Sequence, residues 1–347
     1  MSSTASDPSS HLQPPTPSSS RSAPTPPEPL LNAFQVSAIS RRLISGVEQV
    51  VIGKRRQVVL AITAWLSGGH VLLEDVPGTA KTILARAMAG CVGAQFRRIQ
   101  CTPDLLPTDI TGASIFNPKT TSFEFRPGPI FTNILLADEI NRATPRTQAA
   151  LLEAMAESAV SADGVTYELP PPFIVMATQN PIDHEGTFPL PEAQLDRFLM
   201  KFGLGYPSFD DELLMLDRLR QRHPIESVRP VVSLGEMLAA QRACREIFVH
   251  DSVRRYITEI VHATRENDDI RLGGGPRATL ALFRCSQSLA AISARDYVLP
   301  DDVKRVTSAV LAHRIILKPE ARLRKIMTDD ILAEILERIP APVVQPQ

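Results

Sequence analysis

Apolar residues at Val36, Ile39, Leu43, Ile44 and Val47 recur at helical spacing and mark the first folded element. A second helical pattern covers residues 54–67 and is stopped by Gly68-Gly69. The period then changes. Short continuous apolar runs at 70–74, 96–101, 133–137, 173–177 and 201–204 alternate with helical stretches such as 82–89 and 145–157. The last of these has Thr144 as its cap and Pro145 at its first position. Runs apolar on both faces and separated by helices predict an α/β fold. They imply a parallel five-stranded sheet covered on both sides, an αβα sandwich. After Tyr206-Pro207 such runs cease. Ser208-Phe209-Asp210-Asp211 and Ser233-Leu234-Gly235-Glu236 have capping-box spacing, each opening a helix. Residues 251–266, 276–294, 300–313 and 329–339 continue the helical pattern. The expected organisation is a nucleotide-binding-type domain over 30–206 and a C-terminal all-helical domain over 207–340, with no internal repeat.

Composition adds limits at both ends. Residues 1–29 are mainly Ser, Thr and Pro, and cannot bury enough apolar surface to offset their ordering entropy. They read as a disordered tail, with a Pro-rich docking site as the alternative. Residues 341–347 read as a short flexible tail. The 347-residue chain is 44% hydrophobic and 22% charged, with a net charge of −1. That excludes a global basic field for nucleic acid or anionic membrane. Cys91, Cys101, Cys244 and Cys285 form no Cys-x-x-Cys pair and read as reduced thiols. The seven histidines show no metal-ligand spacing. No apolar run reaches the roughly 20 residues of a membrane span, and the start has no signal-peptide pattern. The expected location is cytoplasmic.

Candidate chemistry begins at the first strand. It is followed by the loop Val76-Pro77-Gly78-Thr79-Ala80-Lys81-Thr82 and then a helix. Backbone N–H groups from Gly78 to Thr82, with the positive helix end, can cradle a β-phosphate. Lys81 would reach the β- and γ-phosphates and Thr82 would ligate Mg²⁺. Asp75 and Ala80 stand where the Gly-x-x-x-x-Gly-Lys-[Ser/Thr] pattern has glycines, so an incidental Gly-containing turn is the competing reading of the loop alone. About 55 residues later, Asn133-Ile134-Leu135-Leu136-Ala137 runs into Asp138-Glu139. Two acids leaving a buried strand are costly unless solvated or bound to a cation. Asp138 would hold Mg²⁺, and Glu139 would polarise the attacking water. A third strand, 173–177, leads to Thr178-Gln179-Asn180-Pro181, where Asn180 can orient that water; a polar strand-ending turn is the alternative.

These three pieces, in this order, resemble the AAA+ ATPases, and more closely the MoxR family, over residues 36–339. The most specific stretches are 69–78, 104–112 (Asp104-Leu105-Leu106-Pro107-Thr108-Asp109-Ile110-Thr111-Gly112), 125–131, 138–143, 177–181 and 191–198. Members of the family carry Gly or Ala at the position of Ala80. The resemblance implies a P-loop NTPase domain with a helical lid, ATP and Mg²⁺ as ligands, and a ring homo-oligomer, a hexamer. It implies that Arg197 is an arginine finger entering the neighbouring subunit's site, and that Arg277 is the lid's sensor arginine, in cis or in trans. Surface salt bridges are the competing reading of both arginines. Arg142 would also face the subunit interface. Val51-Ile52-Gly53 resembles the segment that packs on adenine. Residues 112–131, with a hairpin at 122–126, resemble the insert in helix 2. Residues 159–169, turning at Asp163-Gly164, resemble the hairpin before the sensor strand; the Asp-Gly pair supports a hairpin without the family. In such rings the hairpins line the pore or contact clients; a purely structural hairpin is the alternative.

The function so implied is an ATPase acting as a chaperone-like remodeller. It would assist maturation, or metal or cofactor insertion, of a client protein, often alongside a separate von Willebrand A-domain partner. Three other readings stay open. A nucleic-acid motor shares the core motifs, but the chain has no basic run or aromatic stacking patch. A chelatase ATPase subunit shares the insert pattern. A nucleotide-dependent scaffold that does not hydrolyse is opposed by the presence of Asp138, Glu139, Asn180 and Arg197.

Overall fold

The computed structural model describes residues 30–76, 78–181, 186–219 and 224–343. The expected tail at 1–29, Pro77 and the last four residues lie outside them. Five parallel strands form the central sheet: β1 (Val71–Glu74), β2 (Phe96–Gln100), β3 (Ile134–Asp138), β4 (Ile174–Gln179) and β5 (Met200–Phe202). Their spatial order is β2-β3-β4-β1-β5. The period of two along each strand divides the core. Val71, Leu73, Ile134, Leu136, Ile174 and Met176 face one cluster, with helices Ala33–Glu48, Arg55–Leu66 and Lys81–Val92. Leu72, Leu135, Ala137, Val175 and Ala177 face another, with helix Pro145–Glu157. Both sheet faces are therefore covered, which is why the strands read as continuous apolar runs.

Caps fall where the sequence puts them. Thr144 accepts from the Thr147 N–H at the start of Pro145–Glu157. Ser233 and Glu236 bond reciprocally at the start of Leu234–Arg245. Ser208 and Asp211 do the same ahead of Phe209–Leu219. The C-terminal half continues through Asp251–Glu266, Pro276–Ile292, Pro300–Leu311 and Thr328–Arg338. Among the described residues it is helical apart from a short antiparallel pair of Ile270–Leu272 with Ile316–Leu317 and an isolated parallel bridge between Phe248 and Tyr297. Two or three residues per strand are too few for periodicity to reveal. The first apolar cluster runs unbroken from the N-terminal helices into this half, and Ser37 donates to the carbonyl of Ile292 at 2.7 Å.

Two hairpins stand outside the sheet. Ala159–Ala162 pairs with Val165–Glu168 around Asp163 (φ 51°) and Gly164 (φ 77°), the left-handed pair that a two-residue turn requires. In the other, residues 122–126 are one arm rather than a whole hairpin: Ser122–Pro127 pairs with Gly112–Asn117. Among the described residues no helix is long and apolar enough to cross a membrane.

Candidate nucleotide site

Parallel strands bring their C-terminal ends to one edge of the sheet, where open α/β folds bind ligands. Register aligns Glu74 of β1 with Gln179 of β4, Ala137 of β3 with Ala177 of β4, and Gln100 of β2 with Asp138. The phosphate loop, the acid pair and Asn180 are thus neighbours because three strands end together.

The loop after β1 turns at Gly78 (φ 85°) and Ala80 (φ 61°, ψ 21°) and delivers Lys81 as the first residue of its helix. Ala80 adopts the left-handed backbone that the expected glycine would supply, at a cost of about 1 kcal/mol. Thr79 donates to the Val76 carbonyl at 3.1 Å. Lys81 Nζ donates to the carbonyls of Asp75 (2.8 Å) and Val76 (3.1 Å), which fold it over the loop. Thr82 follows it, half-buried on the first turn.

Asp138 closes β3. One carboxylate oxygen accepts from the Thr178 hydroxyl at 2.5 Å, and the other from the Arg98 guanidinium at 2.6 Å. Glu139 follows in a left-handed conformation (φ 57°), a strain of order 1–3 kcal/mol of the kind that functional sites retain. It takes the Glu139 side chain out of the strand's alternation. Its N–H donates to the Thr178 hydroxyl (2.8 Å), and its carboxylate accepts from Gln100 Nε2 and Arg142 (2.9 Å each). Thr178 therefore bonds both members of the acid pair. Asn180 is buried at the end of β4. A hydroxyl at Thr82 and a carboxylate at Asp138 are hard oxygen donors suited to Mg²⁺.

Val51, Ile52 and Gly53 lie between the first two helices. Val51 is in the core, and Gly53 (φ 70°) packs so closely on the Asp211 carboxylate that a β-carbon would meet it at 2.1 Å. Arg197 and Arg277 are not bonded to the loop or the acid pair among the described residues. Arg197 donates to the Leu152 carbonyl at 2.6 Å. Arg277, exposed, pairs with Asp196 at 3.5 Å. Asp196 also accepts from Arg314 Nε at 2.8 Å. Arg314 is buried and donates further to Leu199 O (3.1 Å) and Phe198 O (2.6 Å), tying the helical half to the start of β5.

The sequence did not reveal Asp75, Arg98, Thr178, Asp196 or Arg314 as parts of this arrangement. For Asp75 a signal existed: a carboxylate directly between a buried strand and a phosphate loop needs partners.

Residues 70–200 match the family model described as ATPase family associated with various cellular activities (AAA), and residues 262–335 match an AAA lid domain. Protein YeaC of Bacillus subtilis (strain 168) is 50% identical over 302 residues, 87% of this chain and 94% of that protein. Chaperone MoxR1 of Mycobacterium tuberculosis is 41% identical over 321 residues, 90% of this chain and 84% of that one. A crystal structure from Cytophaga hutchinsonii superposes with a TM-score of 0.84 at 38% identity, over 90% of this chain and 97% of that one. The fold, the site's architecture and these relatives agree: the chain belongs to the MoxR-type AAA+ ATPases.

Proposed function

We propose that the protein is a Mg²⁺-dependent ATPase that works as a ring of identical copies and remodels a partner protein. The observation that carries the ATPase reading is that Lys81 follows β1 and the Asp138–Glu139 pair ends β3, two strands that end at the same edge of the sheet with only β4 between them. The backbone N–H groups of Gly78 to Thr82 wrap the phosphates, and Lys81 exchanges its loop carbonyls for β- and γ-phosphate oxygens. Thr82 and Asp138 would hold Mg²⁺, which would supply neutralisation of phosphate charge. Arg98 must yield part of its pairing with Asp138 for this. Glu139 polarises the attacking water and Asn180 orients it. Val51, Ile52 and Gly53 border the adenine.

Arg277 pairs with the carboxylate of Asp196, and Arg197 is the next residue in the chain. We assign both to the neighbouring copy's site, Arg197 as finger and Arg277 as sensor, and Arg142 to the same interface. Residues 30–206 form the nucleotide domain and 207–340 the lid. The name of one relative, Chaperone MoxR1, supports a chaperone-like role; maturation, or metal or cofactor loading, of a client is the form we give it. A hexameric ring, a cytoplasmic setting and a von Willebrand A-domain partner belong to the same reading.

The test is a pair of variants. Lys81→Ala abolishes nucleotide binding. Glu139→Gln keeps binding and loses turnover by about 100-fold or more. Undiminished turnover in Glu139→Gln would remove that residue from the role given to it.

A further inference from the structure

Asp75 makes more connections than its place one residue beyond β1 requires. Its N–H donates to the Gln179 carbonyl of β4 at 3.2 Å. Its own carbonyl accepts from Lys81 Nζ at 2.8 Å. One carboxylate oxygen accepts from the Val76 N–H of the phosphate loop at 2.9 Å. The other accepts from two N–H groups, those of Leu204 and Gly205, at 2.7 Å each. Those two residues follow β5 and lead directly into the helical half. The same stretch is held at a second point, where Lys54 Nζ, next to Gly53, donates to the Tyr206 carbonyl at 2.6 Å.

The glycines of this stretch fit a moving joint. A β-carbon at Gly203 would meet the Glu74 carbonyl at 2.9 Å, so only glycine lets the chain pass this close to the loop. Gly205 has φ +65° and nothing within 4 Å of where a β-carbon would stand, so the chain can turn there without collision.

We propose that Asp75 is a positioning residue that couples nucleotide at the phosphate loop to residues 204–206, and through them to the lid. This rests on the ATP-binding reading above. When phosphate draws Lys81 away from the Asp75 and Val76 carbonyls and fixes the loop, the Asp75 carboxylate is fixed with it. The N–H groups of Leu204 and Gly205 are then held more tightly. A carboxylate is needed because three N–H donors converge on it. An amide offers one acceptor oxygen and turns its NH₂ towards the remaining donors.

Hydrogen exchange of the full chain, with and without saturating Mg-ATP, tests this, with nucleotide affinity measured alongside. In the wild type, ATP slows exchange at Leu204 and Gly205 severalfold. In Asp75→Asn nucleotide still binds within a few-fold of wild type, but that slowing is lost, and Asp75→Glu recovers part of it. A merely structural role would alter exchange equally with and without nucleotide. Persistence of the ATP-dependent slowing in Asp75→Asn overturns the proposal. So does a wild type that binds ATP without change at these two amides, a result that needs no variant to fold. A wild type that binds no nucleotide sinks the ATP reading first and this coupling with it.

Discussion

His70 and His313 are buried and neutral, and each fixes a piece of backbone. The Val175 N–H donates to His70 Nδ1 at 2.9 Å, so Nδ1 is the acceptor and Nε2 carries the proton that it donates to the Met155 carbonyl at 3.0 Å. This one ring ties β1 to β4 and to the helix behind them. Burial lowers its pKa from 6.5 to about 4; burial and then the Arg314 charge lower that of His313 to about 3. The unfolded chain binds protons near pH 6.5 that the folded chain refuses, so stability falls as pH drops below about 6.5. The expected slope is about 1.4 kcal/mol per pH unit for each histidine until its folded pKa is reached. Carboxylates held low in the fold, such as Glu236 beside Arg42 and Ser233, add their loss only below about pH 4.5. Chemical unfolding between pH 7.5 and 5 checks this, and an unfolding free energy flat across that window would refute it. The limits of legibility lie at this scale too. The phosphate loop and the acid pair were readable because each is contiguous in sequence. Asp75, Arg98 and Arg314 were not, because their partners lie 129, 40 and 118 residues away. Only the fold brings them together.

Among the elements, the two hairpins are one unit. Phe125 stacks on Tyr167 with centroids 4.2 Å apart and planes 14° from parallel, and the Ser114 hydroxyl bonds the Asp163 carboxylate. Phe125 also meets Phe131 edge-on at the core. The same face, nearer the hairpin's turn, carries an exposed edge-to-face pair, Phe116 and Phe123. A double-mutant cycle on Phe125→Ala and Tyr167→Ala is expected to give a coupling of about 0.5–1.5 kcal/mol. Phe123→Ala, at a side chain 73% exposed, should change stability by no more than about 0.5 kcal/mol. Additive effects of the first two would mean that the hairpins stand independently. The Asp163-Gly164 turn was legible because its backbone demands those residues. The Gly112–Asn117 arm was not, because Gly-Ala-Ser-Ile-Phe-Asn has no alternation that distinguishes a strand from a loop. Its partner strand settles it. The helices of the C-terminal half were readable almost to their ends because caps and a period of about 3.6 coincide there.

For the whole molecule the question is which copy supplies which arginine. Lys81, Asp138 and Glu139 stand at one edge of the sheet, whereas Arg277 pairs with Asp196, next in the chain to Arg197, and Arg314 anchors that carboxylate to the helical half. If both arginines serve the next copy, each active site takes its loop from one chain and both arginines from another. Mixing inactive variants then separates the arrangements. Lys81→Ala lacks a working loop but offers intact arginines; Arg197→Ala and Arg277→Ala offer the reverse. Each variant alone should turn over ATP slowly, by about 1000-fold for the finger. Lys81→Ala mixed with Arg197→Ala, or with Arg277→Ala, should recover activity, because some interfaces join a good loop to two good arginines. Arg197→Ala mixed with Arg277→Ala should not, because no copy presents both. A sensor acting within its own chain reverses the last two outcomes. The Arg277→Ala loop would then stay defective beside any neighbour, while an Arg197→Ala loop beside an Arg277→Ala neighbour would be complete. Steady-state ATP turnover of the three mixtures, at protein concentrations high enough to hold the ring together, therefore assigns Arg277 to one copy or the other.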